Sequence, residues 1–206
     1  MLAGPAPFAA VIPPAPAVLD EIMARTRALN FGMASDAETG ALLRALAASK
    51  PGGRFLELGT GTGIATAWVL AGMDSVSTLT SVDISAEFQN VARALLGDDR
   101  RLTLVNGDAL QFLAGSEPET YDLVFADAMP GKYEGLQQCL RVIKPGGFYI
   151  VDDMLPQPNW PEGHAEKIPA FLRQMQFHGG FTLVTMTWST GVVIAVKLGH
   201  APAHAR

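Results

Sequence analysis

The sequence predicts an α/β fold: one domain with a mostly parallel sheet and one antiparallel strand. Three observations predict it. From residue 54 onwards, short apolar runs alternate with segments of helical spacing. A glycine-rich turn, Gly59-Thr60-Gly61-Thr62-Gly63, joins the first apolar run to the helical segment after it. Acids stand at or just past the ends of the predicted strands, namely Glu57, Asp83, Asp108, Asp127 and the pair Asp152-Asp153. That is the edge at which open α/β sheets bind ligands. A chain of 206 residues can bury one sizeable core, and 49% apolar against 17% charged residues predicts that most of it is ordered.

The elements follow in order. Residues 1–16 are rich in Ala and Pro and lack a basic start, so they read as a loose arm rather than a signal peptide. Residues 17–50 form a helical cover, with helices over 18–29 and 36–48 and Ser35 or Asp36 as the second N-cap. The turn between them, 30–34, carries Phe31 and Met33. The core spans 54–198. Strands are expected over 55–58, 76–82, 102–105, 121–126 and 148–151. Helices are expected over 66–71, 87–96, 109–113 and 133–143, the last ended by a Lys144-Pro145-Gly146-Gly147 turn. A Pro-rich loop over 155–163 holds Trp160 and precedes a helix over 165–177 that Pro169 interrupts early. Strands over 181–188 and 192–198 flank Ser189-Thr190-Gly191, a hairpin signal.

Charge and cysteine usage narrow the function. The formal net charge of −5 argues against a broad phosphate-binding surface, so a nucleic-acid partner is not expected. The lone Cys139 lies in an apolar helical pattern and reads as a buried, inert thiol, which fits a reducing, cytoplasmic location. No apolar run is long enough to span a bilayer, so no membrane partner is expected.

The glycine turn and the acids indicate a ligand. The spacing is G-x-G-x-G, not the dinucleotide G-x-G-x-x-G. Missing Cβ atoms let a ligand approach the backbone. An acid such as Glu57 would repel phosphates and attract an ammonium or sulfonium group. Asp83 falls 24 residues after Gly59, near the place of a ribose-binding acid in nucleotide folds. Asp83 and Asp108 would each also serve as simple helix caps. Asp127, Asp152 and Asp153 have no His or Cys nearby in the chain and favour a hard cation such as magnesium, manganese or calcium.

Glu57-Leu58-Gly59-Thr60-Gly61-Thr62-Gly63 resembles motif I of class I S-adenosylmethionine-dependent methyltransferases. Ser81-Val82-Asp83, Asn106-Gly107-Asp108-Ala109, the segment 121–128 and the segment 140–147 follow in the expected order. Within the class the chain is similar to the small cation-dependent O-methyltransferases, the catechol and caffeoyl-CoA group, through Asp127, Tyr133 and Asp152-Asp153. The resemblance implies a three-layer, Rossmann-like methyltransferase fold with seven strands, one antiparallel. It implies S-adenosylmethionine and a divalent cation as cofactors, a small hydroxylated substrate of phenolic or catechol type, and a homodimer with residues 1–16 at the contact.

The implied cofactor-binding set is Met33, Glu57, Gly59, Thr60, Gly61, Gly63, Asp83, Ile84, Asp108, Ala109 and Asp127; the implied metal set is Asp127, Asp152 and Asp153. Two departures stand out. Asp153 replaces the family's Asn, and Pro130 stands where the family carries a catalytic lysine. With Asp127 at the reacting centre, three replacements for that lysine follow in order of preference: a metal-bound hydroxyl alone, then His164, then Lys132. Three rival readings remain: an NAD-type oxidoreductase, a tRNA-modifying methyltransferase, and a cofactor-binding protein without methyl transfer.

Overall fold

A computed structural model describes residues 12–160 and 162–199. Its strands are β1 (Arg54–Leu58), β2 (Thr78–Asp83), β3 (Leu102–Asn106), β4 (Tyr121–Ala126), β5 (Ile143–Val151), β6 (Phe181–Met186) and β7 (Val192–Lys197). Its helices are α1 (Leu19–Ala28), α2 (Ala37–Ala48), α3 (Ile64–Gly72), α4 (Ala86–Leu96), α5 (Ala109–Gly115), α6 (Leu136–Arg141) and α7 (His164–Phe177). The sheet order is β3-β2-β1-β4-β5-β7-β6. β1 pairs in parallel with both β2 and β4, so the strand order reverses beside it and opens a crevice at the carboxyl ends. β7 runs against both β5 and β6, which leaves six strands in one direction and one opposed, as expected.

Strand alternation builds the three layers. Phe55, Leu123, Phe125 and Ile150 pack with α1 to α4 on one face. Their chain neighbours Leu56, Val124, Tyr149 and Val151 pack with α5 to α7 on the other. The fully buried Trp68 anchors the first layer, and α2 passes so close that a Cβ on Gly40 would lie 2.3 Å from its ring.

Three elements differ from expectation. The helix over 133–143 shortens to α6 because Gly135 enters it from the left-handed region (φ 64°). The preceding Met129–Glu134 segment closes into turns instead, with Gly131 N–H donating to the Glu134 carbonyl at 2.7 Å. Ile143 then joins β5 and pairs with Tyr121, after which the ladder shifts and resumes at Leu123 and Phe148. The Lys-Pro-Gly-Gly turn is that shift, held by Lys144 on Asp122 at 2.7 Å. Finally, α7 continues through Pro169, whose missing N–H removes a single helical bond near the start.

Asp36 caps α2, accepting from Thr39 N–H at 2.9 Å. Cys139 is fully buried, and burial pushes its thiol well above the usual range, so it is inert as expected. Among the described residues no helix is long and apolar enough to cross a membrane. Most of the arm over 1–16 lies outside the described residues.

Candidate active site

Three adjoining cavities form one trough along the carboxyl edge of β1, β2, β4 and β5. The middle one, about 200 Å³, lies over the glycine turn and is lined by Phe31, Met33, Ser35, Gly59, Gly61, Asp83 and Asp127. A second, about 290 Å³, runs past Ile84, Asp108, Ala109 and Leu110 and shares Gly59, Asp83 and Ala128 with the first. A third, about 180 Å³, is walled by Met129, Lys132, Tyr133, Asp153 and His164 and shares Met33, Asp127 and Ala128 with the first.

The turn owes its shape to glycine. Gly59 (φ 101°) and Gly61 (φ 51°) occupy the left-handed region. Asp83 clamps the loop: one carboxylate oxygen accepts Gly61 N–H and the other accepts Ser85 N–H, each at 2.7 Å. Asp83 lines two of the cavities while it clamps the loop. Ile84 presents an apolar side chain at the rim, 78% exposed. Asp108 caps α5 through Leu110 N–H at 2.6 Å while also facing the second cavity. Asp83→Ala is expected to weaken S-adenosylmethionine binding by about 1–3 kcal/mol, the scale for hydrogen bonds to a charged group. Calorimetric titration checks this, and unchanged affinity in a folded variant would refute the ligand contact.

Two residues expected at the cofactor do not line the trough. Glu57 is fully buried beneath the turn, where one carboxylate oxygen accepts the hydroxyls of Thr66 (2.5 Å) and Ser81. Among the described residues its other oxygen has no partner. Burial first, with Asp83 adding, draws its pKa from 4.5 to about 7 against the opposing hydroxyl bonds. Glu57 therefore supports the turn from below instead of facing a cationic ligand. Gly63 (φ 96°) serves packing: a Cβ there would lie 2.7 Å from the Ala92 Cβ on α4.

The third cavity collects the remaining candidates. Asp127 follows β4, and its carboxylate accepts the Ser35 hydroxyl at 3.0 Å. Burial, then the charges of Asp152 and Asp153, raise its pKa to about 8. Asp152 is 2% exposed and turns its carboxylate to the Thr190 hydroxyl and to Asp153 N–H. Asp153 takes a left-handed backbone (φ 59°), which Asp and Asn tolerate better than most side chains. Lys132, only 4% exposed, donates to the Asp152 carbonyl. His164 is buried at the start of α7; its Nε2 lies 3.2 Å from the Tyr133 hydroxyl, and its ring stacks near Trp160 at 4.5 Å. Burial, then Lys132 and Lys167, lower its pKa, which favours the neutral ring.

The placement of the acids does not support the metal expectation. Asp127, Asp152 and Asp153 do reach one region, but among the described residues no three acid, His or Cys side chains are arranged to hold a metal ion. One oxygen of Asp152 is taken by the Thr190 hydroxyl and Asp153 N–H, and a lysine stands in the same cavity. The residues as placed do not fit the ion. Sequence reading also left Phe31, Ser35 and Tyr133 without a site role. Phe31 stacks on Phe88 at 4.5 Å and covers Gly61, and its only signal was a large apolar residue in a short turn.

Residues 56–154 match a family described as a methyltransferase domain. The match takes in just under half of the chain, and it agrees with the fold in making this chain similar to methyltransferase domains. Within the class its relatives are O-methyltransferases by name. Over 134 residues it is 34% identical to a Mycolicibacterium vanbaalenii protein named "Putative O-methyltransferase", covering 62% of this chain and 59% of that protein. A Mycobacterium avium protein of the same name matches at 34% over 62% and 60%. The chain thus spans about six-tenths of these curated relatives. A Klebsiella pneumoniae structure titled as a putative O-methyltransferase superposes with TM-score 0.77 at 26% identity, covering 90% of this chain and 92% of the other. The O-methyltransferase TomG of Streptomyces achromogenes, solved with SAM, matches in fold at TM-score 0.77 and 22% identity over 92% of each chain.

Proposed function

We propose that the protein transfers the sulfonium methyl group of S-adenosylmethionine to a hydroxyl oxygen of a small phenolic or catechol-like substrate. The continuity of the trough carries this reading. Its second cavity suits the nucleoside, between Asp83, Ile84 and Ala109. The glycine turn suits the methionine portion. The third cavity adjoins it through Met33 and Asp127 and has the size of a small molecule, with Tyr133 and His164 as aromatic walls. An oxygen held there attacks the methyl carbon in line. The S–CH3 bond breaks as O–CH3 forms, giving S-adenosylhomocysteine and a methyl ether. The hydroxyl proton passes to a group lining the cavity. Neutral His164 qualifies, whereas burial keeps the proton on Asp127 up to about pH 8, and no step is routed through a metal ion. The cytoplasmic homodimer implied by the family belongs to the same reading, and sedimentation at micromolar concentration checks the dimer.

The G-x-G-x-G spacing disfavours a dinucleotide, and the net charge of −5 disfavours tRNA. Calorimetry with S-adenosylmethionine and with NAD, followed by labelled methyl transfer to catechols, hydroxycinnamates and unmodified tRNA, tests the choice. Binding of S-adenosylmethionine alone and label on a small phenol are expected. NAD binding without S-adenosylmethionine binding would overturn the class of reaction. Label only on tRNA would move the reading to nucleic acid.

A further inference from the structure

The acceptor end of the trough has more carboxylate oxygens than its hydrogen bonds use. Asp127, Asp152 and Asp153 stand at the ends of two neighbouring strands. Ser35 satisfies one oxygen of Asp127, and Thr190 with Asp153 N–H satisfies one oxygen of Asp152. Buried carboxylates at this density need a positive charge nearby.

The chain supplies one itself. Lys132 is carried under the strand ends by the turns of Met129–Glu134, in which Gly131 adopts φ 84°. Its ammonium donates to the main-chain oxygen of Asp152, stands 5.0 Å from the centroid of the Tyr133 ring, and lines the cavity with Asp127 and Asp153. A lysine 4% exposed is costly to bury without charge compensation, and the three acids provide it. A divalent ion in this cavity would need several converging oxygen ligands at about 2.0–2.6 Å and would be repelled by the ammonium.

We propose that the Lys132 ammonium is the resident cation of the acceptor site, standing in place of a divalent metal and facing the acceptor oxygen as it gains negative charge. The functional half of this statement rests on the methyl-transfer reading above. The exclusion of metal does not, so the two fail separately.

The test is a Mn2+ titration of the full chain followed by electron paramagnetic resonance, with and without S-adenosylhomocysteine. The parent protein is expected to bind no stoichiometric Mn2+ tighter than about 1 mM. Lys132→Gln, which removes the charge, should gain one site at least about tenfold tighter, and Lys132→Met is a second neutral variant should the first fail to fold. Lys132→Arg should keep the metal out. Adding Asp153→Asn to Lys132→Gln should remove the gained site. Stoichiometric Mn2+ binding by the parent that Asp153→Asn abolishes would overturn the proposal. So would failure of both the parent and the folded neutral variants to bind, because Lys132 would then not be what excludes the ion.

Discussion

Gly59→Ala should lower affinity for S-adenosylmethionine by about 100-fold and methyl transfer with it. The backbone at Gly59 sits at φ 101°, where a side chain is strained. The added Cβ would lie 2.7 Å from the Asp127 carbonyl oxygen, 3.1 Å from its carbon and 3.3 Å from the Ala128 Cβ. None of these is the free end of a flexible side chain, so the clash is relieved only by moving the turn away from β4. That movement displaces the loop clamped by Asp83 and the Asp127 backbone together. Strain and overpacking of this kind each cost about 1–3 kcal/mol, and a combined loss near 3 kcal/mol is about 100-fold in binding. Titration with S-adenosylhomocysteine measures it. Gly32→Ala is the control, since among the described residues a Cβ there meets nothing within 4 Å. Near-parent affinity in Gly59→Ala would mean that the ligand does not use this turn.

The middle of the sheet was legible because β1, β4 and the end of β5 are buried on both faces. Runs such as Tyr121–Ala126 and Phe148–Val151 stand out against polar turns, and the ligand edge follows from where those runs stop. Asp83 and Asp127 could therefore be placed from position alone. Side-chain direction was harder. Glu57 was read as facing the ligand, yet strand alternation puts it on the face of Phe55, towards Thr66 of α3. That parity was available in the sequence and was not used. The position of Lys132 was not available. It depends on a turn closed by Gly131 and Glu134, in a segment whose apolar spacing at 133, 136 and 140 imitates a helix. The three acids could be assigned to strand ends, but not the partners that Thr190 and Ser35 supply from far along the chain.

The buried Glu57 should make the protein less stable as pH rises from about 4.5 to about 7. In the folded chain its pKa is raised from 4.5 to about 7, first by burial, with Asp83 adding and the Ser81 and Thr66 hydroxyls opposing. Below about 4.5 both states hold the proton and Glu57 adds no pH dependence. Between the two values the folded state keeps a proton that the unfolded state has released, so stability falls by about 1.4 kcal/mol per pH unit. Above about 7 both states are ionised and the loss levels off at about 3 kcal/mol. Glu57→Gln keeps a neutral group of the same shape against the two hydroxyls and cannot ionise. Its absolute stability also reflects how its amide replaces the unpartnered oxygen, so the slope is the diagnostic quantity. Denaturant unfolding of parent and variant at pH 5, 6, 7 and 8, without ligand, gives both slopes. The difference in stability between the two proteins should widen in favour of Glu57→Gln from pH 5 to 7 and then stay constant. A constant difference across the whole range would show that Glu57 is already ionised at pH 5 and that burial does not raise its pKa.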